Sequence, residues 1–281
     1  MSFGPNPWQQ LHWDARAAGN FMGGGAGTGL LIAAVAFGAA GGLRMTAIGL
    51  AIALIGAGLL CVWAEIGRPW RALNVFINPR TSWMSREAAV APLLMGSAVL
   101  AFFGIDTVAW VAAALALVFL YCQARILRAA RGIPAWREPL TVPLIVVSGL
   151  SEGTALYAAL AVLWGWPSVL AGLALVVSLG LRTALGIAWR RRVARALRGP
   201  AARSLVHCRL ASRLAGPLPL GLVLAALLLP LPAAWAGALQ AVAGVLALAG
   251  GAWFKYALIT RMAFNQGFAL PHLPVRGVPR G

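Results

Sequence analysis

The chain has 281 residues, of which 61% are apolar and only 10% charged, with a mean hydropathy of +0.83 and a formal net charge of +17. Too little polar side chain is present to cover a soluble globule, so the bilayer must be its solvent. A charge of +17 would suggest nucleic acid in a soluble protein, but here it is confined to gaps between long apolar runs and no nucleic-acid partner is expected.

Crossing the hydrocarbon takes about 20 residues, and eight runs qualify, at 18–40, 46–64, 87–104, 107–124, 140–164, 168–189, 214–232 and 234–260. The expected fold is an all-α polytopic bundle, one integral-membrane domain over residues 1–281. Arg16 precedes the first run; Arg68, Arg71, Arg80 and Arg86 follow the second; Arg125, Arg128, Arg131 and Arg137 follow the fourth. Arg190, Arg191, Arg192, Arg195, Arg198, Arg203, Arg209 and Arg213 follow the sixth, and Arg261, Arg276 and Arg280 the eighth. Of 23 Lys and Arg, only Arg44, Arg182 and Lys255 fall elsewhere. The intervening connections include the tight turns Phe103-Gly104-Ile105-Asp106, Gly165-Trp166-Pro167-Ser168 and Pro230-Leu231-Pro232. By the positive-inside rule both termini are expected in the cytoplasm, with cytoplasmic loops at about 65–87, 125–139 and 190–213 and a tail at 263–281. Such a basic face also attracts anionic membrane lipids or an acidic partner protein. Asp14 and Asn20 sit where a basic n-region would end, so neither a removable signal peptide nor a twin-Arg signal is expected.

Cys61, Cys122 and Cys208 show no CxxC spacing, and His12, His207 and His272 all lie outside the predicted spans. Neither haem nor a metal is therefore expected in this chain. The Gly23-Gly24-Gly25-Ala26-Gly27 run has no flanking strand or phosphate-binding Lys and reads as small residues that let helices pack closely.

The segment from Glu65 to Glu87 is the richest in polar chemistry. Gly67 and Pro69 should break the second span, and Ser85 can cap the third, where Glu87 also favours the positive helix end. Glu65-Ile-Gly-Arg-Pro-Trp-Arg-Ala-Leu-Asn74, followed by Ser82-Trp-Met-Ser-Arg-Glu87, resembles the LGxPxRAxN…SxxSxE signature of DmsC-type membrane anchor subunits of dimethyl-sulfoxide-reductase-like molybdoenzymes. The likeness extends to eight spans over nearly the whole chain, with a last helix ending in Arg261-Met-Ala-Phe-Asn-Gln-Gly-Phe268. It implies a three-part complex of a molybdopterin catalytic subunit, an iron-sulfur electron-transfer subunit and this anchor, which binds quinone (menaquinone or ubiquinone) and exchanges electrons with the respiratory quinone pool. In the family the Glu closing the second motif, matched by Glu87, is implicated in the quinone site; the position matched by Glu65 is often His. The ending from Phe264 to Gly277 resembles a branch whose cytoplasmic complexes oxidise phenylacetyl-CoA or sulfite.

A quinone site needs a greasy slot, hydrogen-bond donors and a titratable group connected to water. Glu87 and Glu65 are the candidate proton carriers, Arg68, Arg86 and Ser85 the donors, and Trp70 and Trp83 the walls. Arg71, Asn74, Asn78 and Arg80 are the candidate docking residues for the iron-sulfur subunit. The competing reading makes the carboxylates ion-paired caps and the Trp residues an interfacial belt. Within the spans, Glu152 is expected about 18 Å and Arg182 about 12 Å from the same face at ~1.5 Å rise per residue, which allows a Glu152–Arg182 pair, with Lys255 snorkelling. These charges read either as a structural ion pair or as a proton path. Rival functions are a proton-coupled secondary transporter, for which no internal duplication is found, and a passive anchor without quinone chemistry. The expected location is the bacterial inner membrane, with partner subunits on the cytoplasmic side.

The charge asymmetry makes a topological prediction. A reporter fused after Gly281, or inserted between Arg190 and Arg213, reads cytoplasmic, and one in the Pro230–Pro232 turn reads external; the opposite pattern overturns the orientation.

Overall fold

In the computed structural model, which describes residues 7–66, 69–166 and 168–266 and only the backbone of residues 69–71, the apolar runs close into helices. In hydrocarbon a backbone amide finds its acceptor only inside its own helix or a closed barrel. The elements are α1 (Ala15–Ala36), α2 (Gly41–Glu65), a 3-10 helix (Pro69–Ile77), α3 (Trp83–Phe102), α4 (Asp106–Ala129), α5 (Pro134–Arg137), α6 (Thr141–Leu163), α7 (Val169–Ala196), α8 (Gly199–Arg203), α9 (Val206–Leu214), α10 (Pro217–Leu228) and α11 (Ala233–Thr260). Among the described residues there is no strand beyond an isolated Gln9–Phe264 bridge. Eight helical stretches are long and apolar enough to cross a bilayer, namely α1 to α4, α6, α7, the α8–α10 run and α11. The chain is a multi-pass membrane protein.

The expected 190–213 loop is a correction: it is helical, made of the last turns of α7, then α8 and α9. Arginine is a good helix former, so a cluster of Arg moves side chains into water without ending the helix. In α9, Arg209 and Arg213 face outward while Cys208, Ala211 and Ser212 are buried. The cap of α3 is Ser82, whose side chain accepts from the Ser85 amide, so Ser85 lies inside the first turn. Asp14 caps α1 by accepting from the Arg16 amide, and hydrogen bonds from Arg16 hold its carboxyl below the ordinary range. On the opposite face α3 and α6 end at Gly104 (φ 97°) and Gly165 (φ 69°), left-handed conformations that cost glycine nothing. Arg44, the one basic residue predicted there, pairs with Asp106 at the start of α4 and donates to the Ala101 carbonyl at 3.0 Å.

Eight crossings return the described ends to one face, where they meet. The Gln10 amide donates to Ala263 O at 2.9 Å and the Asn265 amide to Trp8 O at 3.0 Å. This is the face on which the Arg-rich connections lie, called the basic face below.

Helix α1 runs through the middle, packed against α2, α4, α6 and α11. Its first half joins a cluster with Trp136, Trp189 and Phe254, and its second half one with Ile48, Leu94 and Phe119. Large apolar side chains such as Leu93, Trp110, Val177 and Val245 point outward, as a lipid-facing surface requires. Small residues make the central crossings: Gly23 and Gly27 lie against the α2 backbone, and Gly29 lies against Gly149 and Gly153 of α6.

A methyl group at Gly153 would meet the backbone of Gly29, whereas one at Gly180 on α7 meets nothing within 4 Å. Gly153→Ala is therefore expected to cost about 1–3 kcal/mol through overpacking. Gly180→Ala should be neutral or stabilising by up to about 1 kcal/mol, from helix propensity. Thermal midpoints in detergent check the contrast, and equal midpoints contradict the α1–α6 crossing.

Candidate functional site

A cavity of about 720 Å³ opens between the basic-face ends of α1, α2 and α3 and the 3-10 helix. Its walls are apolar, with Trp13, Phe21, Trp63, Leu73, Phe76 and Met84 among them, and its polar groups are Asn20, Glu65 and Glu87. Glu87 is 8% exposed. Its Oε1 accepts from Asn20 Nδ2 at 3.1 Å, while the Asn20 backbone oxygen accepts from Gln123 Nε2 at 3.0 Å. Helices α1, α3 and α4 thus hold one carboxylate against a greasy slot. Pro92, one turn beyond Glu87's neighbour Ala88, removes the amide that would bond the Ala88 carbonyl, and both residues line the cavity.

The chain has six acids. Among the described residues Asp14, Asp106, Glu138 and Glu152 each hold an ion pair, with Arg16 (2.9 Å), Arg44, Arg192 (3.4 Å) and Lys255 (2.7 Å). The remaining two, Glu65 and Glu87, are the acids of the cavity wall. Glu65 is half-buried at the end of α2, where Arg16 Nη1 donates to the neighbouring Ala64 carbonyl at 2.9 Å.

Several expected site residues lie elsewhere. Trp83 does not line the cavity; its ring lies between the Arg86 and Arg125 guanidiniums, 4.1 and 4.3 Å from the centroid, with Tyr121 edge-on at 5.7 Å. Arg86 donates to the Pro79 and Arg80 carbonyls at 2.8 and 2.7 Å, which makes it a clamp on the loop. Ser85 is buried in the first turn of α3 and is also absent from the wall. The physical reason is rotational: the cavity face of α3 is centred on Met84, Ala88, Ala91 and Met95 with Glu87 at its edge, which puts Arg86 on the far side and leaves Trp83, at the helix start, beside α4. Asn74, Asn78 and Arg80 are exposed on the connection beside the cavity. Arg68 and the side chains of Trp70 and Arg71 lie outside the described residues, as do His272, Arg276 and Arg280 of the tail. Sequence reasoning missed Asn20 and Gln123 as partners of Glu87; the available signal was an amide inside each of two apolar runs.

The intramembrane charges are also paired differently from expectation. Glu152 bonds Lys255, Nζ to Oε2 at 2.7 Å, with the two side chains 1% and 0% exposed. Lys255 does not snorkel, because the end of α11 is covered by the amino-terminal segment, where Gln10 Nε2 reaches the Ile259 carbonyl at 3.4 Å. Glycines make room for the pair: Gly25 faces Lys255 Nζ and Gly251 faces Glu152 Oε1. Arg182 is buried with its guanidinium 5.3 Å from the Phe254 ring centroid, and its Nε and Nη2 have no partner among the described protein atoms. The described residues hold no group of His, Cys, Asp and Glu able to bind a metal.

A cavity with a buried carboxylate on its wall is thus set at one face of an eight-span helical bundle. Residues 43–196 match the DMSO reductase anchor subunit (DmsC) family, and the chain belongs to that family. One of the subunits of the sulfite dehydrogenase of Allochromatium vinosum is 33% identical over 165 residues, and that match spans half of this chain and half of the relative's length. The family match includes Glu65, Glu87, Glu152 and Arg182, while Asn20 and Lys255 fall outside it.

Removing one partner of a buried ion pair leaves an uncompensated charge, which costs about 3–5 kcal/mol. Lys255→Met should therefore lower the thermal midpoint in detergent markedly, and Glu152→Gln together with Lys255→Met should recover most of the loss. A Lys255→Met protein that melts like wild type contradicts the pairing.

Proposed function

We propose that this chain anchors an oxidoreductase complex in the bacterial inner membrane and exchanges electrons with quinone held in the cavity beside Glu87. The supporting observation is Glu87 on the wall of an apolar slot of about 720 Å³, within the roughly 300–1,000 Å³ typical of sites for small organic ligands. Bound quinone would take up, or quinol release, two electrons and two protons. The residues of this chain supply what that exchange needs: Trp13, Phe21, Trp63 and Phe76 wall out water, Asn20 fixes the Glu87 carboxylate, and Glu87 holds a proton and passes it at its carboxyl oxygen. Glu65, on the same wall, is the second titratable group.

The family and the name of the relative support a place beside other subunits of an oxidoreductase, and the partners proposed are an iron-sulfur electron-transfer subunit and a molybdopterin catalytic subunit. Those partners sit on the basic face in the cytoplasm, where Asn74, Asn78 and Arg80, with Arg71 of the same segment, form the docking surface. The relative's name supports sulfite as electron donor: sulfite and water give sulfate, two electrons and two protons, which balances the reduction of one quinone.

Glu87→Gln keeps shape and hydrogen-bonding capacity but removes the titratable proton. The variant complex is expected to assemble and to reduce a soluble dye at the wild-type rate, while quinone-linked turnover falls by about 10²-fold or more. Wild-type quinone turnover in an assembled Glu87→Gln complex would return Glu87 to a purely structural role.

A further inference from the structure

Buried polar groups continue past the cavity and across the bundle. Gln123, which holds Asn20 beneath Glu87, lies against Gly24, and the next residue, Gly25, lies against Lys255 Nζ. The Thr28 hydroxyl sits at this step, 2.7 and 3.1 Å from the Gly24 and Gly25 carbonyls. Lys255 then meets Glu152 at the centre of the 23-residue α6, about 16 Å from either end at ~1.5 Å per residue. Beyond the pair, Arg182 reaches a small cavity of about 10 Å³ shared with Thr183, Arg190 and Ser212 near the basic face, room for about one water.

Along this line Asn20 Oδ1, Gln123 Oε1, Ser148 Oγ, Glu152 Oε1, Thr183 Oγ1 and Ser212 Oγ are buried with no hydrogen-bond partner among the described protein atoms. Charges inside a membrane are costly and carry function by default, and a purely structural pair would leave no such trail of open acceptors on both sides of it. The cavity beside Glu87 has a complementary need. An apolar ligand filling it excludes water from the carboxylate, so protons must reach Glu87 by another way.

We infer that Glu152 and Lys255 form the inner station of a proton route that starts at the basic face between α7 and α9, passes the Arg182 cavity, turns at mid-membrane and ends on Glu87. It rests on the quinone reading of the cavity. Lys255 Nζ, on the Gln123 side of the pair, releases a proton and is left as a neutral amine. That proton passes through water hydrogen-bonded to the oxygens of Gln123 and Asn20 to the Glu87 carboxylate. Glu152, on the Arg182 side, takes a proton from water held at Arg182 and passes it to Lys255 Nζ across the 2.7 Å contact, which restores the ion pair, and that water regains its proton from the basic face. No electron moves, and each cycle delivers one proton. Arg182 remains charged throughout and is a positioning residue for the water.

The test uses the whole complex in proteoliposomes, with Glu87→Gln, the double variant Glu152→Gln/Lys255→Met, and a second double variant Thr183→Val/Ser212→Ala. The first double variant removes both buried charges together, which avoids an orphaned ion; the second touches no charge at all. For Glu152→Gln/Lys255→Met the expected result is a quinone-linked kcat at least tenfold lower, a quinone KM within twofold of wild type, an enlarged solvent isotope effect and an unchanged dye-linked rate. Thr183→Val/Ser212→Ala is expected to lower kcat at least threefold with the same KM. A structural pair would leave kcat and the isotope effect where they are. Wild-type kcat in both double variants, beside a Glu87→Gln complex that has lost quinone turnover, sinks the route and leaves the quinone site standing. Wild-type quinone turnover in Glu87→Gln sinks both.

Discussion

Two apolar helices gain little by hiding each other in a bilayer, because lipid tails solvate them as well as protein does; contact has to come from close packing and from polar groups without another partner. Helix α1 meets both conditions. Glycines at 23, 25, 27 and 29 bring its backbone against α2 on one side and α6 and α11 on the other. Because α1 is central, the polar residues on it are automatically buried, and whatever they bind is held at the middle of the bundle. Asn20 reaches Glu87 from there, and Gly25 leaves the space that Lys255 occupies.

The scarcity of acids sharpens the electrostatics. With six carboxylates against 23 Lys and Arg, each acid has a choice of cations, and four of the six are taken up in ion pairs. Glu87 is instead held by an amide in an apolar wall. An Arg partner there would fix the carboxylate as an anion; an amide leaves it able to exchange a proton, which is what the proposed quinone site requires. The nearby arginines are occupied otherwise, Arg86 by loop carbonyls and Arg125 by Tyr121, with both flanking the Trp83 ring.

The basic face joins the anchoring and chemical roles. The 3-10 helix Pro69–Ile77 contributes Leu73 and Phe76 to the cavity wall while exposing Asn74 on the same short segment. A partner seated there would contact the wall of the cavity directly, which keeps the distance between an external electron carrier and a ligand in the slot short. The α8–α9 excursion and the paired ends at Trp8–Gln10 and Ala263–Asn265 broaden the same face beyond what helix connections alone require.

Hydropathy and charge determined the number of crossings, their order and the face that carries the arginines, because each of these is a property of a segment by itself. The polar motif between the second and third runs likewise marked Glu87, since a carboxylate one turn inside an apolar helix is visible without a partner. The partners were not visible. Most of these helices are apolar all round, so no stripe of side chains fixes their rotation, and rotation decides which residues meet. Trp83 and Arg86 share a helix turn with Glu87 yet face away from the cavity. Depth along the chain permitted Glu152 to meet Arg182, whereas the packing of α6 against α11, opened by Gly251 and Gly25, gave it Lys255. Asn20 and Gln123, 103 residues apart, became parts of one site only when α1 and α4 packed side by side.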